Sequence, residues 1–359
     1  MPSKNSNLDF TGQNLYVGID VHKKSFTVSI RGEELLYKTF SQAPSARVLA
    51  DHLRTNYPGA EYHAAYEAGF SGFWLQKELE GLGIGCIVVN PCDVPTTDKE
   101  KKQKRDAVDS KKLARSLANG ELAPVHVPDL QLQQDRSLVR VRQQVVGNLT
   151  RCRNRIKALL HFYGTPYPGR FLNRGCHWSK GFMCWLENCN LGHQSGDRAL
   201  GLLVSEAHFL RELLLGANKD IMELSRTERY RENVELLISI PGIGRLTAMV
   251  LMVQIGDIKR FGKLDRLCSY IGFVPNVHAS GEREYTGSIT KRGNRKLRAN
   301  LIESSWIAVR NDPALSMKYQ QLCQRMSGNK AIVRIARKLT NRIRYVLVNK
   351  KEYRIGTTA

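Results

Sequence analysis

The chain has 359 residues, 42% hydrophobic and 25% charged, with a mean hydropathy of −0.36, which describes a globular protein of two or three domains and excludes a disordered or fibrous one. Lys plus Arg number 55 against 33 Asp plus Glu, a formal net charge of +22, and that surplus favours a polyanionic partner, nucleic acid first. No apolar run reaches the roughly 18 to 20 residues of a membrane span: VELLISIPGIGRLTAMVLMVQIG is broken by Pro241, Gly242, Gly244 and Arg245, so no membrane partner is expected.

The first fourteen residues, MPSKNSNLDFTGQN, carry no apolar segment of the kind that signals export, so a reducing cytoplasm is expected. The eight cysteines (86, 92, 152, 176, 184, 189, 268 and 323) then read as free thiols. Along the chain, YVGID (16–20) and SFTVSI (25–30) predict a hairpin about the polar turn His22, Lys23, Lys24. A helix over 44–57, a strand over 61–68, a helix over 73–83 and a buried strand over 86–90 follow. Strands alternating with helices make this an α/β domain. The wholly polar stretch 96–106 reads as a loop, and DAVDSKKLARSLANG (106–120) as a helix ending at Gly120. Pro124 and Pro128 then close a first domain at residue 128.

From 138 onward Leu138, Val145, Cys152 and Leu159 recur every seven residues, with Leu149, Ile156 and Tyr163 as a second row, the signature of a long helix with a coiled-coil seam. A second seam runs through Leu203, Ala207, Leu210, Leu214, Ala217, Ile221 and Leu224. The two are separated by an irregular insert at 164–199, and the spacing serves pairing within one chain or between subunits equally. These helices form a central segment, 129–238. The remainder, 239–359, reads as a separate, mostly helical domain. Its last helix, KAIVRIARKLTNRIRYVLVNK (330–350), places Ile332, Ile335, Leu339, Ile343 and Val346 on one face.

The charge is uneven: residues 1–98 carry a net −3, 99–160 a net +9, 161–238 none and 239–359 a net +16. A polyanion is therefore expected mainly on the last third. Chemistry is expected elsewhere. Asp20 ends an apolar strand, where a carboxylate is costly without a partner or a metal. Glu67 ends a second strand, and Asp106 and Asp109 stand three apart on one helical face. Four such carboxylates are the oxygen-rich set that Mg²⁺ prefers, and Mg²⁺ is the expected cofactor. The alternative for each is structural, a helix cap at Asp106 or an ion pair at Glu67.

IPGIG (240–244) is similar to the hairpin of a helix-hairpin-helix motif, in which Gly242 and Gly244, with Arg245 beside them, would let backbone amides approach a phosphate. Its alternative is a tight turn between buried helices. The segment 272–298 reads as a loop carrying Ser280 and Ser288 ahead of the cations Lys291, Arg292, Arg295, Lys296 and Arg298. Such cations would stabilise charge developing on a phosphate attacked by a serine. Spacing does not separate the two serines. Cys176, His177, Cys184, Cys189 and His193 match no zinc-ligand spacing, and no Walker A motif occurs.

YVGIDVHKKSFTVSI, the Glu67 segment, KRDAVDSKKLA, and SIPGIGRLTAMVL followed by LCSYIGFVPNVHASGEREYTGSITKRGNRKLR resemble transposases of the IS110 family, in its IS1111 branch, over most of the chain. The resemblance implies a RuvC-like (RNase H-like) α/β domain, a coiled-coil segment, and a C-terminal transposase domain with a catalytic serine. It makes Asp20, Glu67, Asp106 and Asp109 the metal-binding catalytic carboxylates and Ser280 the nucleophile. Where family members show Ser-Gly-Gly this chain has Ser280, Gly281, Glu282, which keeps Ser288 as a second choice. The resemblance further implies cutting and rejoining of donor and target DNA through a phosphoserine link, guidance by a structured RNA from the element's flank, a dimer or tetramer, and a bacterial, nucleoid-associated location. Two other readings are a metal-dependent junction nuclease with no covalent intermediate and a non-enzymatic nucleic-acid-binding protein.

Overall fold

A computed structural model describes residues 9–97, 105–280, 283–290 and 292–355; for Arg174, residues 277–280 and 283–286, and Ser288 it describes the backbone alone. The chain divides into two compact units, 1–127 and 128–359.

In the first unit, β1 (Asn14–Val21), β2 (Phe26–Arg31), β3 (Leu36–Gln42), β4 (Glu61–Glu67) and β5 (Gly85–Val89) form one sheet in the order β3-β2-β1-β4-β5. The hairpin expected at residues 16–30 is present: β1 runs antiparallel to β2, and the backbone NH of His22 closes the turn by donating to the Ser25 carbonyl at 3.0 Å. β4 and β5 run parallel to β1, linked by α1 (Ala46–Asn56) and α2 (Trp74–Gly81). Alternate residues of β1 explain the layering. Leu15, Val17 and Ile19 are fully buried in a core shared with Leu49 and Leu53 of α1 and Leu75 and Leu79 of α2.

The opposite face of β1 is covered by α3 (Asp106–Ala118). Gly18 makes this possible, since a Cβ there would lie 2.0 Å from the Ser110 carbonyl oxygen and 2.5 Å from the Ala114 nitrogen. Only a glycine lets the helix backbone come so close. The buried hydroxyls of Ser29 and Ser110 hydrogen-bond at 2.9 Å and fix α3 against β2.

The second unit is helical apart from one hairpin. α4 (Leu130–Phe162), capped by Asp129, and α6 (Gln194–Leu224) lie side by side in opposite directions, with α5 (Lys180–Glu187) against them. The Cys152 thiol donates to the Leu203 carbonyl at 3.2 Å, and the Arg142 guanidinium to the Asn218 side chain at 2.9 Å. Parts of the two heptad rows thus meet within one chain: Val145, Leu149, Cys152 and Ile156 of the first are buried with Ala207 and Leu210 of the second and with Val204 beside it, while Tyr163 is exposed.

A separate core in the same unit is built by α7 (Glu228–Ile238), α8 (Arg245–Ile255), α9 (Leu264–Ile271), α10 (Arg295–Asn311), α11 (Pro313–Cys323) and α12 (Gly328–Asn349). α12 buries Ile332, Ile335, Leu339, Ile343 and Val346, as its period predicts. The segment expected to be a loop instead holds a hairpin, β6 (Pro275–Ser280) paired antiparallel with β7 (Arg283–Ile289). Its β-formers Val277, Tyr285, Thr286 and Ile289 are interrupted by Pro275, Asn276 and Gly287, which blurs the strand signal.

Candidate metal centre

The fold gathers four carboxylates at one end of the central strands. Asp20 is the penultimate residue of β1 and Glu67 the last of β4, which continues beside β5 as the Ala68 NH donates to the Val89 carbonyl at 2.7 Å. The Tyr66 hydroxyl donates to the Gly72 carbonyl at 2.9 Å and holds the turn that follows. Asp106 and Asp109 occupy the first turn of α3, where negative charge also complements the helix dipole. Gly18, two residues before Asp20, sets the distance between that turn and the strand.

Two basic side chains divide the set. His22 Nε2 lies 3.2 Å from Asp20 Oδ2 and 3.4 Å from Asp106 Oδ2. Lys112, one turn along α3, places Nζ 3.2 Å from Asp109 Oδ1 and 3.5 Å from Glu67 Oε1. Burial raises the pKa of Asp20; the neighbouring His22 opposes this, and the negative charges of Asp106 and Asp109 add to it. A carboxylate so disfavoured is relieved by a cation. The ligand atoms of Asp20, His22 and Asp106 all lie within 4.8 Å of one another, the single such grouping among the described residues. Hard oxygen donors with one imidazole suit a divalent ion such as Mg²⁺ or Mn²⁺.

Sequence reasoning does not single out His22 or Lys112. The signal for His22 is its place two residues after Asp20, on the same side of an extended chain. The signal for Lys112 is its spacing of three from Asp109 on a helix.

The remaining expected positions are more scattered. Ser280 ends β6 opposite Arg283, and Ser288 lies within β7. Lys291 lies outside the described residues. Gly242 has a φ of +89°, and a Cβ there would meet the Ser304 carbonyl oxygen at 2.3 Å, so its α-carbon packs on the backbone of α10 while the residue stays partly exposed. Gly244, by contrast, precedes α8 with open space at its Cβ position. Arg245 pairs with Glu235 at 2.7 Å. Arg298 is also committed internally, donating to the carbonyls of Ile271 and Arg292 at 3.3 and 3.2 Å. Arg292, Arg295 and Lys296 are exposed, the last two in the first turn of α10 beyond its cap Asn294. His177 Nε2 faces the Phe171 carbonyl at 2.8 Å, and among the described residues the eight cysteines form no disulfide.

Comparison with known proteins places both halves in one lineage. Residues 17–165 match the transposase model of the IS110 DEDD type, and 234–320 match the Transposase IS116/IS110/IS902 family. The chain is 30% identical over 299 residues to the Sinorhizobium fredii protein y4qE, named a candidate transposase, covering 81% of this chain and 71% of that one. The chain belongs to the IS110 transposase family. It is similar to the transposase of insertion sequence element IS1111A from Coxiella burnetii, 28% identical over 80% of this chain and 78% of that one. It is also similar to the transposase of IS1533 from Leptospira borgpetersenii, 28% identical over 69% and 71%. This IS110 transposase is thus a DNA transposase, and the first matched region spans the four carboxylates, His22 and Lys112. Among the described residues no helix is long and apolar enough to cross a membrane.

Proposed function

We propose that the protein excises and inserts its own insertion element by site-specific recombination, with Asp20, Glu67, Asp106 and Asp109 as metal-binding catalytic carboxylates and Ser280 as nucleophile. The observation that carries this reading is the convergence of those carboxylates from two strand ends and one helix turn, within a chain of this family. A divalent ion held there supplies charge stabilisation at the scissile phosphate. The carboxylates orient that ion, and the helix and strand backbones hold the carboxylates.

The Ser280 hydroxyl attacks phosphorus, forming an Oγ–P bond as the P–O3′ bond breaks. The serine proton leaves to solvent and the departing oxygen becomes a 3′-hydroxyl. The product is a 5′-phosphoserine link that another 3′-hydroxyl later reverses. The exposed Arg295 and Lys296 at the start of α10 supply phosphate contacts, as does Arg292. The same reading includes an RNA guide from the element's flank, donor and target DNA, action on the nucleoid in a bacterial cytoplasm, and assembly into a dimer or tetramer. The exposed Leu202, Phe209 and Leu213 along one stripe of α6 support assembly.

A trapping assay tests it: labelled DNA from the element's ends, Mg²⁺ and flank-derived RNA, run on a denaturing gel. Wild type is expected to give a protein–DNA adduct that Ser280→Ala and Asp109→Asn both lose. Cleaved DNA without an adduct, surviving Ser280→Ala, replaces recombination by hydrolysis, and an adduct surviving Ser280→Ala moves the nucleophile to Ser288.

A further inference from the structure

The two basic side chains inside the acidic set differ in what they can do for a metal. The nitrogen that His22 turns to Asp20 and Asp106 owns a lone pair whenever the ring is neutral and its proton is on Nδ1, so it can become a ligand in place. The Lys112 ammonium has three protons and no lone pair, so it can only stand where a cation would stand. It stands between Glu67 and Asp109, 3.5 and 3.2 Å from their oxygens. Its side chain is 8% exposed, against 48% for His22.

We propose that this site takes one divalent cation, on Asp20, His22 and Asp106, and that Lys112 occupies the place of a second one between Glu67 and Asp109. The inference rests on the reading above that the acidic set holds metal, and it narrows that reading: Asp20, Asp106 and His22 hold the ion, while Glu67 and Asp109 hold Lys112, which has a positioning role. A buried ammonium persists only when paired and hydrogen-bonded, and within this site Glu67 and Asp109 are the carboxylates that pair it. An ion bound by both would need to approach each oxygen to about 2.0–2.1 Å, which places it in the volume of Nζ and against its charge. Lys112 therefore ties the strand end of β4 to the first turns of α3 with or without the ion. His22 Nε2 marks the other place, because it lies near two carboxylate oxygens at once.

Counting bound Mn²⁺ on the full chain tests this, by the loss of the free-ion electron paramagnetic resonance signal, with no DNA and no activity readout. Wild type is expected to bind one Mn²⁺ per chain, and Asp106→Asn to lose it. His22→Ala should weaken that ion by about tenfold or more, while Lys112→Arg, which keeps the cation, should leave the count at one. Lys112→Met should bind two, the second disappearing when Glu67→Gln is added. Wild type binding two ions, one lost with Glu67→Gln, overturns the inference and leaves the metal reading standing; so does a folded Lys112→Met that still binds one with unchanged affinity. Wild type binding none overturns both. If Lys112→Met fails to give a cooperative melt, the wild-type count with the His22→Ala and Lys112→Arg arms still decides.

Discussion

Asp312 has a fully buried carboxylate that caps α11: it accepts from the Leu315 NH at 3.0 Å and the Tyr353 hydroxyl at 2.7 Å, and it pairs with Arg342. Burial alone would raise its pKa, but the hydrogen bonds and the Arg342 charge outweigh burial and lower it. Folding therefore favours the ionised form. Its contribution is complete above the unfolded value of about 3.9 and is lost as pH falls through the lower folded value. Asp312→Asn, which strands the Arg342 charge, should cost about 3–5 kcal/mol at pH 7. Thermal melts should show the gap from wild type narrowing below about pH 4. Gly18→Ala tests another single atom: a Cβ 2.0 Å from a helix carbonyl cannot be absorbed by side-chain motion. We expect a loss of at least about 1–3 kcal/mol together with weakened Mn²⁺ binding as α3 shifts. Asp20 and Glu67 stand out in the sequence because charge at an apolar strand end is conspicuous, and Asp106 and Asp109 because a spacing of three sets both on one helical face. His22 and Lys112 are not, because a histidine in a polar turn and a lysine on a helix are ordinary until the fold brings a carboxylate to each.

Secondary structure with a strong period is legible at the level of the element. Val145, Leu149, Cys152 and Ile156 from the row on α4 are buried with Ala207 and Leu210 from the row on α6, where Val204 is buried in place of Leu203, and the row on α12 faces its core. The partner of such a row is not in its spacing, since an intrachain helix and a second subunit present the same surface to it. Ile156, with no exposed surface, should report on this pairing. Ile156→Ala is expected to destabilise by about 2–5 kcal/mol, read as a fall in melting temperature. The β6–β7 hairpin escapes sequence reasoning for a different reason: its pairing partner supplies what its composition does not. A turn is legible only in part: IPGIG shows its glycines in the sequence, but that Gly242 also brings the turn against the backbone of α10 is set by the fold.

Over the whole molecule, residues 1–127 hold 16 basic and 15 acidic side chains, a net +1, while 128–359 hold 39 and 18, a net +21. Nucleic-acid affinity should therefore be dominated by the second unit and be strongly salt-dependent. If six to ten phosphates are neutralised, binding measured by fluorescence anisotropy should weaken about 10³–10⁵-fold between 50 and 200 mM salt. Substituting exposed Arg295 and Lys296 by Gln should reduce the slope by about one for each phosphate left without its cation. A slope that ignores both would remove the start of α10 from the interface. The order of the two units along the chain has its own outcome. Domains fold as units, the first-made first, during synthesis at about 5–20 residues per second. Every side chain of the carboxylate cluster lies before residue 119. If that cluster binds an ion as proposed, a nascent chain would complete the site tens of seconds before the basic second unit has been translated.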